Sequence, residues 1–253
     1  MKPFLALVSG LAVSAGIGCG GADLRGSNRA GQNLSGNDLR SANLRGSDLR
    51  GTDLSNARLE RANLEYSDLT GAKLAGANLE RASLDEVRGP SADLRGANVR
   101  YAEARRADLK GADLAGADFT GSRLVGANLA GANLENAKLS TADLSRADLR
   151  GAKLSGAEIT RARLAGANLQ GLHLPSILQS SLHKADLRGA KLGNVTEASL
   201  EDADLRGADL SEAVGLQSAN ITDAVYDDTT KWPTGFQPRA WDARHGQQAR
   251  GKN

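Results

Sequence analysis

The sequence predicts an all-β fold, a four-sided parallel β-helix in which one coil takes 20 residues. Three observations carry this. A five-residue phrase, Ala-(Asp/Asn)-Leu-x-x, recurs from Ala22 to Leu174; the corner residue two after each central Leu sorts into classes that repeat every four phrases; and aromatic residues make up only 3% of the chain, too few for an ordinary globular core.

A period of five excludes an amphipathic helix, because each repeat would rotate its leucine by about 140° and smear the apolar positions around every face. In an extended segment, by contrast, the Ala and the Leu two residues on share a face while the Asp or Asn between them points away. The next Ala comes three residues later, an odd step, so a corner must intervene. A chain that keeps turning the same way with its small and large apolar residues inward winds into a solenoid. The inward set includes Leu34, Leu54, Leu74, Leu94, Leu114, Leu134 and Leu154, stacked along one side, and Phe119 in the place of a Leu.

The corners give the number of sides. Taking every fourth repeat, the residue two after the central Leu reads Gly31, Gly51, Gly71, Ser91, Gly111, Gly131, Gly151 and Gly171 in one class. It reads Gly36, Asn56, Gly76, Gly96, Gly116, Asn136, Gly156 and Ser176 in the next. Gly and Asn in these places predict a positive φ, as at the third position of a type II turn. A further class, Ser41, Arg61, Arg81, Tyr101, Gly121, Thr141 and Arg161, is not glycine-rich. A different corner is expected there, with Arg61, Arg81 and Arg161 at negative φ.

The stretches NLSGNDLRSANLRGSDLRGTDL from Asn33 and ADLKGADLAGADF from Ala107 closely resemble the pentapeptide repeat family, and the repeats span most of the chain. The resemblance implies a right-handed quadrilateral β-helix with the central Leu and preceding Ala inside. It implies no single function.

In order along the chain, residues 1–19 read as a signal peptide: Lys2 is the only charge, and Phe4 to Ala15 is largely apolar. Gly16-Ile17-Gly18-Cys19 resembles a bacterial lipoprotein box, which makes Cys19, the only cysteine, the expected lipidation site; Val13-Ser14-Ala15 would serve an ordinary signal peptidase instead. Residues 20–226 form the repeat body. Its first coil is imperfect because Arg29 takes a leucine position, and Ser27, Ser47 and Ser67 predict a structural hydroxyl ladder. Register breaks are expected near 87–90, where Gly89 and Pro90 interrupt the phrase as a bulge or bend, and near 172–182, 193–199 and 211–220. His173 to Ile177 is expected to leave the tube. Residues 227–242 are expected to cap the last coil through Trp232, Phe236 and Trp241, with a homodimer through the same rings as the alternative. Residues 243–253 are polar and expected to be disordered.

No catalytic, cofactor-binding or metal-binding constellation emerges. There is no nucleophile with a plausible base and acid, no phosphate-binding loop, and His173 and His183 lack partners at ligand spacing in the sequence. Of 32 Lys and Arg six lie outside residues 20–226, and of 30 Asp and Glu three do, so the body is nearly neutral. Arg58, Arg61, Arg81, Arg100, Arg105 and Arg106 are interleaved with acids and read as a solvated charge ladder. Nucleic acid is not expected as a partner, since stacking aromatics and a net basic stripe are both missing. The expectation is therefore a non-enzymatic, exported, lipid-anchored rod that scaffolds or binds a protein partner in the cell envelope, held at the membrane through Cys19. The alternatives are a DNA-mimicking gyrase protector, which in this family relies on a strongly acidic surface, and a cargo-associated or pore-associated module.

Overall fold

The computed structural model describes residues 21–238. Cys19, Trp241 and the segments expected as signal peptide and polar tail lie outside the described residues. From Asp23 onward, residues 20 apart form parallel bridges, as in Asp53↔Lys73, Asp113↔Asn133 and Asp118↔Lys138. Four walls result, here numbered from the one carrying Leu24; Leu34 to Leu154 line wall three and Phe119 lies on wall four. The wall-three leucines are 0 to 6% exposed and Phe119 is 1% exposed.

One repeat shows why these residues make a wall. The Asp113 amide donates to Ala92 O (2.9 Å), the Leu114 amide to Asn133 O (2.7 Å), the Gly116 amide to Glu135 O (2.8 Å) and the Ala117 amide to Leu114 O (3.0 Å). The fifth amide, on Ala115, donates to the Asp113 carboxylate (3.2 Å). All five donors are satisfied, three of them between coils. Asp or Asn at this place thus accepts the amide two residues on, a local side-chain turn, although the ladder also continues through Lys73, Arg88 and Lys138.

The corners depart from the sequence expectation. Arg61, Arg81 and Arg161 have φ of 60°, 58° and 56°, so the fourth class uses the same left-handed corner as the glycines. What holds them there is the ladder: the Arg61 amide donates to Glu80 O and the Arg81 amide to Arg100 O, both at 2.9 Å. A non-glycine residue in this conformation costs about 1–2 kcal/mol, and a backbone hydrogen bond returns a comparable amount.

The break expected at 87–90 is also absent. Arg88 bridges both Asp68 and Asp108, and the Gly89 amide donates to Asp108 O at 2.7 Å. Pro90 falls at the second position of a turn, where its fixed φ fits and where the missing N–H takes no part in the wall ladder. The core is nonetheless thin here. A void of about 10 Å³ remains, bordered by Leu69, Leu84, Val87, Ala104, Leu109 and Phe119.

Further on, His173 to Ile177 stays in the tube, contrary to expectation. It supplies β1 (His173–Ser176), which pairs in parallel with β2 (Lys191–Asn194). Arg163↔Ser181, Asn168↔Asp186 and Ser181↔Ser199 are each 18 apart. Two residues have been removed from the corner between walls three and four, and one continuous strand crosses it with Leu174 and Ile177 both fully buried. The spacing then rises to 20 at Asn194↔Val214, 21 at Ser199↔Asn220 and 22 at Asp209↔Lys231. The last of these places Trp232 over Leu210, packed edge-on to Tyr226 (5.4 Å) and stacked on Phe236 (5.3 Å), with Trp232 and Phe236 partly buried against the core.

Small hydroxyls at the inward alanine position bond to carbonyls along the tube: Ser47 Oγ to Leu24 O (2.8 Å), Thr52 Oγ1 to Arg29 O (2.9 Å) and Ser67 Oγ to Leu64 O (2.6 Å). Arg29 is half-buried, and its guanidinium reaches Gln32 Oε1 at 3.4 Å.

Two glycine substitutions separate the two uses of glycine here. A Cβ at Gly51, φ +60°, meets nothing within 4 Å, so Gly51→Ala carries the backbone cost alone, about 1–2 kcal/mol. A Cβ at Gly193 would lie 2.2 Å from Pro175 O where β2 lies on β1. Gly193→Ala is expected to cost about 3 kcal/mol, and equal shifts of the two variants in denaturant midpoint would contradict this packing.

Candidate interaction surface

Outward positions on the walls are polar or charged, and many of the charges are paired at short range. All seven Asp-Leu-Arg triplets close on themselves. Each Arg reaches back over its Leu to the Asp two residues earlier, as in Arg40 to Asp38 (2.6 Å), Arg50 to Asp48 (2.7 Å) and Arg95 to Asp93 (2.7 Å), with the same pairing at Asp23, Asp148, Asp186 and Asp204. The Arg Nε also donates, making the pair bidentate. These guanidiniums hold Asp38 and Asp48 at about 2. Between coils, Arg45 pairs with Glu65 and Arg105 with Asp85 (2.9 Å), while the guanidiniums of Arg81 and Arg100 lie 5.8 and 5.4 Å from the exposed Tyr101 ring. Sequence reading missed the pairing within triplets, although the recurrence of Asp-Leu-Arg was its signal.

A second feature is a seam in two walls. Below it, the amides of Leu134 and Leu139 donate to Lys153 O and Glu158 O, both at 2.8 Å. Above, among the described residues, neither Lys153 nor Glu158 bridges to the next coil, the amides of Gly151, Leu154, Gly156 and Ile159 have no backbone acceptor, and Ala152 O and Ala157 O receive no backbone N–H. Ala152 and Ala157 are 8 and 6% exposed, whereas Ala132 and Ala137 one coil below are fully buried. The cause is geometric: a square-cornered 20-residue coil lies against an 18-residue coil whose strand cuts the corner. Walls one and two stay joined through Asp143↔Arg163 and Asp148↔Asn168. At the seam's edge the buried Ser180 hydroxyl accepts from the Ala162 amide (3.1 Å) and donates to Ile159 O (3.0 Å), bridging a corner that lacks its own turn hydrogen bond.

Two further places stand out. At the C-terminal end a groove of about 460 Å³ runs between Val214–Gln217 and Pro233–Gln237, with Val214 exposed. On the corner after wall one, the 18-residue spacing brings His183 together with Glu201 and Asp202, correcting the expectation that no acidic partners surround it. His173 is exposed at the start of β1.

The triplet pairs set a pH limit. A carboxylate depressed in the fold contributes stability above its unfolded value, near 3.8, and loses it as pH falls through the folded value. Carbon NMR of the Asp38 carboxylate should therefore titrate at about 2, moving toward 3.8 in Arg40→Gln. At the seam, the Leu154 and Ile159 amides should exchange with solvent faster than those of Leu134 and Leu139. Ser180→Ala should cost about 1–3 kcal/mol by leaving a buried donor and acceptor unpaired; exchange rates uniform across the four amides would contradict the seam.

The model of the pentapeptide repeats matches this chain at residues 19–56, 52–88, 91–126, 122–158, 142–175, 180–214 and 194–225. No curated protein matches it. Among solved structures, HetL, a pentapeptide repeat protein involved in heterocyst differentiation regulation from the cyanobacterium Nostoc sp. strain PCC 7120, is 30% identical. That alignment covers 83% of this chain and 92% of HetL, with a TM-score of 0.36. QnrB1, a plasmid-mediated fluoroquinolone resistance protein, is 20% identical over 90% of this chain and 100% of its own, with a TM-score of 0.40. A pentapeptide repeat protein from the Arabidopsis thaliana thylakoid lumen is 27% identical over 53% of this chain and 69% of its own, with a TM-score of 0.24. With the phrase matched over most of the chain and its four-sided coil in view, the chain belongs to the pentapeptide repeat family and is a right-handed quadrilateral β-helix.

Proposed function

We infer that this protein is an exported, lipid-anchored rod that binds or scaffolds a protein partner in the cell envelope. The observation that carries the reading is the internal pairing of the wall charges on a solenoid with a closed apolar core. Such walls are flat, solvated and close to neutral. A partner would be selected by the shape of the stacked coils rather than by net charge, and the scaffold-like fold offers the length for it.

Charge magnitude weighs against DNA mimicry. Duplex DNA carries one negative charge per about 1.7 Å of axis, so a coil rising about 4.8 Å would need roughly three net negative charges. The repeat body is nearly neutral, and its most regular aspartates already have arginine partners. Export and anchoring rest on the sequence of Met1 to Cys19 alone: one charge, an apolar run and a single cysteine at its end. Among the described residues no helix is long and apolar enough to cross a membrane; attachment in this reading goes through Cys19.

Mass spectrometry of the native N-terminus tests the proposal directly. A mature chain that begins at a lipid-modified Cys19 is expected. A chain retaining Met1 would remove the export reading, and a free N-terminus at Gly16 would remove the anchor while leaving export.

A further inference from the structure

We propose that His183, Glu201 and Asp202 form a binding site for a divalent transition-metal ion of the zinc class, clipping two successive coils together at the corner after wall one. The proposal goes beyond the scaffold reading and does not depend on it. Shortening the coil to 18 residues is what creates the cluster, because it stacks Glu201 directly on His183. One ligand atom from each of the three residues lies within 4.8 Å of the others.

The imidazole is placed as a ligand would be. His183 Nδ1 is withdrawn from solvent with no hydrogen-bond partner among the described residues, and it lies 3.8 Å from Asp202 Oδ2. Among the described residues neither Glu201 nor Asp202 pairs with a Lys or Arg, unlike the aspartates of the Asp-Leu-Arg triplets. The backbone beneath is fixed: the Gly166 amide donates to His183 O (2.7 Å), the Lys184 amide to Glu201 O (2.9 Å) and the Asp202 amide to Thr222 O (2.9 Å). Lys184 and Asp202 occupy the left-handed corner at φ 57° and 56°, so their neighbours His183 and Glu201 sit at the same place in successive turns.

Chemistry selects the ion. An imidazole nitrogen with two carboxylates suits zinc and its neighbours rather than calcium or magnesium, which take oxygen donors. Zinc–ligand bonds of about 2.0–2.2 Å place tetrahedral donors roughly 3.3 Å apart, so all three donor atoms, now within 4.8 Å of one another and 3.8 Å apart for His183 and Asp202, must draw in to complete the geometry. Three protein ligands leave a position for water, which makes this an exchangeable surface clip. Because the ligands come from two coils, a bound ion stabilises their stacking by mass action.

The test is a calorimetric titration of the tag-free chain with zinc chloride, alongside cobalt(II) absorption. One ion per chain is expected, with a rise in melting temperature on adding zinc. His183→Ala should weaken binding by more than about tenfold, whereas His173→Ala and His245→Ala should leave it unchanged. Glu201→Gln with Asp202→Asn, which keeps size and corner preference, should weaken it equally, and melting of the metal-free variants reports that the fold is intact. No saturable one-to-one binding at millimolar zinc, or binding that survives His183→Ala, would overturn the proposal.

Discussion

A wall one residue thick is held by its backbone amides, and the five-residue phrase at its most regular gives each of them an acceptor with one residue type for each need. The straight segment contributes the Asp and Leu amides to neighbouring coils. The left-handed corner residue aims a third amide at the coil above, the Ala amide closes the turn, and the Asp or Asn side chain accepts the amide that would otherwise be left over, as at Asp113–Ala117. Alanine is small enough to let the chain turn inward, and leucine fills the axis. The abundance of aspartate, which in another fold would invite a search for acid chemistry, therefore serves the backbone. Its second oxygen remains available, and in the Asp-Leu-Arg triplets an arginine takes it.

The same constraint explains why the corners were only half legible. Glycine marks a left-handed residue because it adopts that conformation without steric cost, but the converse fails where a hydrogen bond pins the backbone. Eighteen non-glycine residues among those described take positive φ, including Arg61, Tyr101 and Glu197. Their side chains project outward, so the position tolerates size and charge. Pro90 looked like a break for a related reason. In a helix or a central strand its missing N–H would matter, whereas here it lands on the repeat position whose amide is served by a side chain rather than by the next coil.

Periodicity revealed what depends on local phase: the inward Leu and Ala, the four sides and the slips after Leu174. It did not reveal what depends on coil length. A shift of three in the leucine frame is the same in sequence whether residues are added to form a loop or two are removed from a corner, and only the pairing of His173 with Lys191 distinguishes them. That ambiguity hid the neighbours of His183, because residues 18 apart carry no special relation until the coil is known to be short. The triplet ion pairs were missed differently. The charges were sorted by stacking between coils, while the shorter route runs back across the central leucine within one repeat.

A change of coil length also has a mechanical consequence. Solenoids normally expose unpaired strand edges only at their ends, where caps cover them; Trp232 and Phe236 occupy that place here. The transition from 20 to 18 residues creates a second pair of edges inside the rod, confined to walls three and four. There the coils are held by buried apolar contact among Leu154, Ile159, Leu174 and Ile177, while walls one and two retain their hydrogen bonds. Each missing wall bond forgoes about 1 kcal/mol net, since water can serve an exposed amide nearly as well, so the seam persists at modest cost. The two coils are thus tied by hydrogen bonds on walls one and two and by packing alone on walls three and four. Ser180 sits where the open walls meet the intact ones, tying Ile159 to Ala162, so the seam ends at that corner instead of spreading around the coil.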